Sequence, residues 1–144
     1  MTEADFLRCC GSKEWARRMA LAQGDLFTAA DEIWWSLTPE DWLEAFRAHP
    51  KIGATSNSKW SGQEQAAARD ASPHVLSDLK EANEQYERRF GYIFIVRATG
   101  KTAEEMLALL HQRLNNSPEV ELRIAAEQQR QITRLRLEKL LQEK

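Results

Sequence analysis

Apolar side chains recur along this chain at intervals of three and four residues, a spacing that predicts amphipathic helices rather than strands. Residues that favour the start of a helix, such as N-cap residues, lie between the apolar stretches. Ser12 precedes a stretch in which Trp15, Met19 and Ala22 share one face, and residues 38–41 combine a threonine cap, a proline and two acidic residues. The pattern therefore predicts an all-α fold, a bundle of about seven to eight helices.

The predicted helices cover the stretches 2–9, 12–24, 25–37, 38–49, 61 onwards, 73–91, 102–114 and 117 to near the C-terminus. Pro50 ends the fourth helix, because a proline forces the residue before it out of the helical region. Ile33, Trp34 and Trp35 make the end of the third helix too apolar for a solvated surface, so we expect them in the core.

One apolar run does not follow the helical spacing. Residues 92–96, Tyr-Ile-Phe-Ile-Val, are apolar and partly β-branched, but the chain has no second run of this kind to pair with them. We therefore expect one buried extended segment between two helices. No internal repeat, low-complexity tract or linker interrupts the pattern, which predicts a single domain over residues 1–144.

Charge and composition argue against several classes of partner. Lys and Arg number 20 against 22 Asp and Glu, and the formal net charge of -2 offers no basic surface for nucleic acid or an anionic membrane. No apolar stretch approaches the roughly 20 residues that span a bilayer, and the N-terminus lacks a signal-peptide core.

The adjacent Cys9 and Cys10 are poorly placed to form a disulfide, which is typical of a protein in a reducing compartment. We expect a cytoplasmic protein.

Metal, nucleotide and serine-hydrolase chemistry lack support in the sequence. His49, His74 and His111 are not spaced as the pairs of helical metal motifs, and neither a phosphate-binding glycine loop nor a Gly-x-Ser-x-Gly motif occurs. We expect no metal site. His74, in the first turn of a helix, should be exposed, whereas His111, with Leu107 and Leu114 nearby, should pack its ring at the edge of the core.

His49 has a structural reason to be functional. Because Pro50 ends the helix there, the imidazole stands at a helix C-terminus, where carbonyl groups lack partners and the helix dipole favours its protonated form. Histidine is also common at such positions simply as a cap for exposed carbonyls. An acid-base role and a structural role both remain open.

A second candidate cluster comprises Ser61, Gly62, Gln63, Glu64 and Gln65. The Ser61-x-x-Glu64 spacing is that of a reciprocal capping box at a helix start. Gln65 adds an amide beside Glu64, and backbone N–H groups at a helix N-terminus also point outward. Such a cluster can bind a ring with alternating amides, so capping and ligand binding both remain open.

Two further stretches could contact a ligand. Backbone groups of residues 94–98 could donate or accept hydrogen bonds, although a buried connection without a function explains this run equally well. In the last helix, Arg136 lies between Ile132 and Leu140 at four-residue spacing, which predicts a largely buried guanidinium. Its acceptor is a ligand carboxylate or, equally, a buried acid or carbonyl of the protein. Arg134, in contrast, is predicted on the solvated face.

Several short blocks occur in an order that identifies a family. They are Cys9–Ser12 with Trp15, His49–Gly53, Ser61-x-x-Glu64-Gln65, Tyr86 with Phe90–Tyr92 and Phe94, Arg113-Leu114-x-Asn116, and Ile132 with Leu135–Leu137. Through these blocks the chain resembles, almost from end to end, the 2-oxo-4-hydroxy-4-carboxy-5-ureidoimidazoline (OHCU) decarboxylase family. Tyr92 and Ile93 depart from the phenylalanine and proline that many members carry.

The resemblance implies a cofactor-independent carboxy-lyase that converts OHCU, a small-molecule substrate, to (S)-allantoin and carbon dioxide, the last step from urate to allantoin. It also implies a homodimer. By motif, His49 is the implied catalytic acid or base, and Glu64 the carboxylate that cooperates with it. The implied substrate contacts are Pro50, Ser61, Gly62, Gln63, Gln65, Phe94, Ile95, Val96, Arg97, Ala98 and Arg136.

Two other functions remain compatible with the sequence. The first is a non-catalytic helical module that binds a purine-like or ureide ligand in the same pocket. The second is a helical assembly protein whose tryptophans and last helix are buried against a partner. Turnover of fresh OHCU distinguishes an enzyme from both, and stabilisation by allantoin-like compounds distinguishes the binding module from the scaffold.

Overall fold

The computed structural model describes residues 1–51, 59–64, 66 and 71–143, and within 59–64 the side chains of Trp60, Gln63 and Glu64. The helices in this part of the chain are α1 (Glu3–Cys9), α2 (Lys13–Leu21), α3 (Leu26–Ser36), α4 (Pro39–Arg47), α5 (Lys59–Glu64), α6 (Pro73–Phe90), α7 (Ala103–Arg113) and α8 (Pro118–Glu143). No strand occurs among the described residues. The prediction of an all-α fold is confirmed.

Threonine and serine caps start several helices, as the sequence predicts. Thr38 Oγ1 accepts a hydrogen bond from Asp41 N at 3.3 Å, and Thr38 N donates to Asp41 Oδ2 at 3.3 Å. Thr102 and Glu105 form the same reciprocal pair at the start of α7, at 3.1 and 2.9 Å. Ser12 Oγ accepts from the amide three residues on, at 3.1 Å. These side chains pair amides that a helix start leaves without partners.

The start of α5 differs from the prediction. The Ser61-x-x-Glu64 spacing predicts a helix that opens at Ser61, but α5 begins at Lys59, so Ser61 lies inside the helix and Glu64 is its last residue. A reciprocal cap across a helix start is therefore wrong for this pair. Trp60 is only 5% exposed, and burial of its ring extends the helix upstream of the apparent cap.

The described fold divides into two compact units, one of Met1–Ala48 with Ala126–Lys144 and the other of His49–Ala125. In the first unit, α2 packs against α1, α3 and α4; in the second, α6 packs against α7. Within the described ranges, no helix combines the length and the apolar character needed to cross a membrane.

Tryptophans form much of the core of the first unit. The indole N–H groups of Trp34 and Trp42 donate to backbone carbonyls at 3.0 Å, and that of Trp15 does so at 3.1 Å, so burial leaves none of these groups without an acceptor. The prediction that Trp35 is buried is wrong. Its side chain is 38% exposed and meets Trp42 edge-on at 5.8 Å, because Trp34 takes the inward position and the next residue is rotated away from the core.

In the second unit, Gly91 is the C-cap of α6; it adopts φ 85° and donates its N–H to Glu87 O at 2.8 Å. Glycine reaches this left-handed conformation without strain, so the chain can leave the helix abruptly. Residues 93–98 then form neither helix nor strand. Their side chains are mostly buried, and the Phe94 ring lies 5.4 Å from that of Tyr86. The prediction that this run is largely buried and lies outside a helix is confirmed, and its extended conformation stays a prediction.

Candidate active site

His49 follows the end of α4, as predicted from Pro50. The helix ends at Arg47, and Ala48 caps it with its N–H bonded to Ala45 O at 3.2 Å. His49 and Pro50 are both half-buried. An imidazole in this position is shielded in part from water while still reachable by a small molecule, which suits a group that transfers protons.

Glu64 is 8% exposed at the end of α5, while the neighbouring Gln63 is exposed. The two side chains therefore differ sharply in surroundings although they are adjacent. A carboxylate is costly to bury, so a largely buried Glu64 indicates a polar or charged environment built around it. The predicted contacts of the Ser61 and Gly62 side-chain positions and of Gln65 lie outside the described residues.

The segment 94–98 is buried at Phe94, Ile95, Val96 and Ala98, and half-buried at Arg97. These apolar side chains offer a ligand no hydrogen bond, so the peptide groups are the candidates for polar contacts with a ligand. Three of its carbonyls have defined donors. Arg113 Nη1 donates to Ile95 O at 2.6 Å, Lys101 Nζ to Arg97 O at 2.7 Å, and Lys101 N to Ala98 O at 2.9 Å.

Sequence reasoning missed the polar network behind this segment. Arg113 donates from Nε and Nη2 to Glu121 Oε2 at 2.8 and 2.6 Å, and the hydroxyl of Tyr86 donates to the same oxygen. Asn116 Nδ2 donates to Glu121 Oε1 at 3.1 Å. Glu121 is fully buried and Arg113 is 7% exposed. Burial, the largest cause, raises the pKa of Tyr86, so its hydroxyl remains a donor.

A signal for Arg113 was present in the sequence. Met106, Leu110 and Arg113 follow one another at four and three residues, which places the guanidinium stem on the buried face of α7. The same argument applied to Arg136 is confirmed. In the first unit, Arg136 is 8% exposed, between the buried Ile132 and Leu140.

The surroundings of Arg136 include the two cysteines. Burial raises the pKa of Cys9 to about 12 and that of Cys10 to about 11, and the positive charge of Arg136 opposes both shifts. The guanidinium therefore lies within electrostatic reach of both thiols. Arg134 is solvated as predicted, 3.9 Å from Glu138.

The other two histidines lie on the surface. His74 is exposed as predicted, with a side chain 85% exposed and Nε2 3.3 Å from Asp78 Oδ2, a partner four residues on that sequence reasoning overlooked. The prediction that His111 packs its ring is wrong, since it is exposed. Within the part of the chain that the structure describes, no three His, Cys, Asp or Glu side chains are grouped to hold a metal ion.

The all-α fold places the chain in a class that solved structures already represent. It superposes with a TM-score of 0.86 on a crystal structure of OHCU decarboxylase in the presence of (S)-allantoin, at 42% identity over 94% of this chain and 96% of that one. A crystal structure of (S)-allantoin synthase shares the fold at a TM-score of 0.73 and 20% identity, over 96% of this chain and 49% of that one.

The sequence comparisons give the family. The family model for OHCU decarboxylase matches residues 2–138, and the chain belongs to this family. It is 42% identical to the uric acid degradation bifunctional protein TTL of Arabidopsis thaliana over 99% of this chain, and spans 48% of that longer protein. It is 30% identical to the 2-oxo-4-hydroxy-4-carboxy-5-ureidoimidazoline decarboxylase of Amia calva, over 89% of this chain and 77% of that protein.

Proposed function

We propose that this protein is a carboxy-lyase that decarboxylates OHCU to (S)-allantoin and carbon dioxide, the last step from urate to allantoin, without a cofactor. One observation carries the proposal: the 42% identity to an OHCU decarboxylase of known structure, over 94% of this chain and 96% of that one. We further propose that residues 1–144 form one domain, and that the protein acts as a cytoplasmic homodimer, as the family resemblance implies.

The reaction balances without a redox partner or an electron-accepting cofactor. When the bond between the ring carbon and the carboxylate breaks, the electron pair passes into the adjacent ring C=N bond. The nitrogen of that bond takes up one proton, and a second proton goes to the carbon that carries the ureido group. The hydroxyl on the carbon that carried the carboxylate loses its proton and becomes the carbonyl of allantoin. The sum consumes a proton and releases carbon dioxide. The protein has to orient the substrate, limit solvation of its carboxylate and deliver the proton to one face.

His49 is the proposed proton-transfer group, and Glu64 the carboxylate that cooperates with it. The half-burial of His49 and the low exposure of Glu64 support these roles, because proton transfer in a partly water-excluded site depends on fixed neighbours. The face of the ring that His49 addresses would set the (S) configuration. Pro50 would shape the same end of the site.

Substrate binding is proposed for the other residues that the family resemblance implies. Ser61, Gly62, Gln63 and Gln65 would contact the amide edges of the substrate together with the peptide groups of 94–98. The polar character of the 61–65 stretch and the restrained main chain of 94–98 support this assignment. Arg136, a buried guanidinium, would bind a carboxylate or carbonyl oxygen of the substrate.

Circular dichroism during urate oxidation tests the proposal. Urate oxidase and the hydrolase that forms OHCU react first, and this protein is added last. We expect rapid appearance of the (S)-allantoin signal with the wild-type protein. Absence of any acceleration would reject the enzymatic proposal, and stabilisation by (S)-allantoin without turnover would favour a ureide-binding module instead.

His49→Gln tests the residue assignment, with His74→Gln as the matched control because that imidazole is 85% exposed. We expect His49→Gln to lower the rate by about 100-fold or more, the contribution usual for a positioned acid or base, and His74→Gln to leave it unchanged. Retention of full rate and (S)-selectivity by His49→Gln would exclude this role.

A further inference from the structure

The segment 94–98 lacks the hydrogen-bond ladder that fixes peptide planes in helices and sheets. A main chain of this kind needs other restraints before its peptide groups can orient a ligand to within about 0.5 Å. Arg113 supplies one restraint on each of two successive residues. It bonds the carbonyl of Ile95 at 2.6 Å, and its Cζ lies 4.5 Å from the centroid of the Phe94 ring.

Arg113 is itself held in one orientation. Two of its nitrogens bind the same oxygen of Glu121, and the carboxylate also accepts from Tyr86 and Asn116. A planar guanidinium fixed by two hydrogen bonds to one carboxylate oxygen leaves its remaining nitrogen pointing in a set direction, here at Ile95 O. Since Glu121 is fully buried, water does not compete for these bonds.

Lys101 provides a second restraint two residues further on. Its Nζ donates to Arg97 O at 2.7 Å, and its backbone N–H donates to Ala98 O at 2.9 Å. Partial burial, the largest cause, lowers the pKa of Lys101, as expected for an ammonium drawn away from water onto a carbonyl. Two cationic side chains from different parts of the chain thus bind the carbonyls of residues 95 and 97.

We infer that Arg113 and Lys101 are positioning residues for the decarboxylation, which fix the peptide groups of 94–98 toward the ureido and ring amides of the substrate by holding the carbonyls of Ile95 and Arg97. The inference rests on the proposed function. Neither side chain touches the substrate; each acts through the main chain. Loss of either restraint weakens substrate binding more than it slows the reaction of the bound substrate.

The test compares Arg113→Lys and Lys101→Met with two controls. Arg113→Lys keeps the charge beside Glu121 but loses the planar fork that also reaches Ile95 O. Lys80→Met, on the exposed face of α6, matches the charge removed at Lys101. Ser72→Ala removes the cap of α6, whose Oγ accepts from Val75 N at 3.3 Å, and so lowers stability without touching the segment.

We expect KM for OHCU to rise about tenfold in Arg113→Lys, in line with loss of a hydrogen bond from a charged donor, and severalfold in Lys101→Met. We expect kcat to change little. Hydrogen–deuterium exchange of the peptide covering 92–100 should become faster in both variants and remain as in wild type in both controls. A merely structural role would lower the amount of active enzyme, and with it Vmax, at unchanged KM.

Wild-type KM and wild-type exchange in Lys101→Met and in a folded Arg113→Lys would overturn the inference. If Arg113→Lys does not fold, Lys101→Met alone decides, because Lys101 is only half-buried. The exchange measurement needs no turnover, so it tests the restraint on residues 94–98 independently of the proposed function. A wild-type protein that does not convert OHCU contradicts the proposed function, whatever the exchange result.

Discussion

Gly11→Ala tests a close approach between the α1–α2 connection and the end of α4. A Cβ built on Gly11 would lie 2.4 Å from the Cβ of Ala48 and 3.7 Å from the Cα and O atoms of Ala45. Two carbon atoms make their best contact at roughly 3.5–4.0 Å, so the first distance is short by about 1.1–1.6 Å. Neither partner is the far end of a flexible side chain, and relief therefore requires a backbone shift.

The sign of the change in stability shows whether this close contact outweighs the usual stabilising effect of a Gly→Ala substitution. Gly11 is not among the glycines with positive φ, and at such a position alanine would ordinarily stabilise the fold by about 0.4–1 kcal/mol, because the unfolded chain loses freedom. Overpacking at a rigid contact instead costs about 1–3 kcal/mol. We expect the second effect to dominate, so that Gly11→Ala lowers the free energy of unfolding.

Urea denaturation and thermal melting measure the change, and a fall in Tm of about 2–4 °C is expected for each kcal/mol lost in a protein of this size. Ala48→Gly is the matched partner variant, since it removes the Cβ atom with which the methyl group of Gly11→Ala would clash. Alone, it should cost up to about 1 kcal/mol through added backbone freedom. The double variant should recover most of the stability lost by Gly11→Ala, with a coupling energy of at least about 1 kcal/mol.

Stabilisation by Gly11→Ala, or a double variant whose stability is the simple sum of the two single changes, would refute the reasoning. His49 follows Ala48 directly in the chain. We therefore expect Gly11→Ala to lower the decarboxylation rate as well, and the double variant to recover it. A rate that stays low in a stable double variant would mean that Gly11 affects activity by another route.

Three further predictions use other parts of the fold. Gly91→Ala, at φ 85°, should lower the free energy of unfolding by about 1–2 kcal/mol in urea titrations. Because burial raises the pKa of Cys9 to about 12 and of Cys10 to about 11 from 9.0, both thiols should resist Ellman's reagent in the native protein and react on unfolding. The two protonated thiols contribute fully to stability below their pKa of 9.0 in the unfolded chain, and this contribution is lost as pH rises toward their pKa values in the folded protein. The free energy of unfolding should therefore fall above about pH 9, and it should fall less in Cys9→Ala. Arg136→Lys keeps the charge but loses the planar fork, and should raise KM for OHCU; unchanged steady-state kinetics would exclude substrate binding by Arg136.

Much of the helical framework was predictable because its signals are local. The caps at Thr38 and Thr102 involve residues only three apart, and the left-handed end of α6 requires a glycine at a single position. Such features depend on short stretches of chain and little on what packs against them. The prediction at Ser61 was wrong for the opposite reason. Burial of Trp60, a tertiary effect, placed the helix start before the apparent cap.

The burial of candidate residues could be predicted from their positions in the helices, but their hydrogen-bond partners could not. Helical spacing places both Arg113 and Arg136 on buried faces, and both are at most 8% exposed. Spacing does not say what each guanidinium binds. For Arg113 the acceptors are Glu121, eight residues on in another helix, and the carbonyl of Ile95, eighteen residues back. These contacts exist only once α7, α8 and the segment 94–98 have packed.

The buried face of α8 explains why hydrophobic patterning missed this chemistry. Several of its inward positions carry polar side chains, among them Glu121, Gln129 and Thr133. A period-based interpretation treats such positions as breaks in an apolar stripe, although each polar group must find a partner once it is buried. Glu121 finds Arg113, and Gln129 Nε2 donates to Thr133 Oγ1 at 3.0 Å. A polar residue at an inward helical position therefore indicates a buried hydrogen-bond network. Substitutions in such a network are best tested by their effect on the backbone groups that the network holds in place.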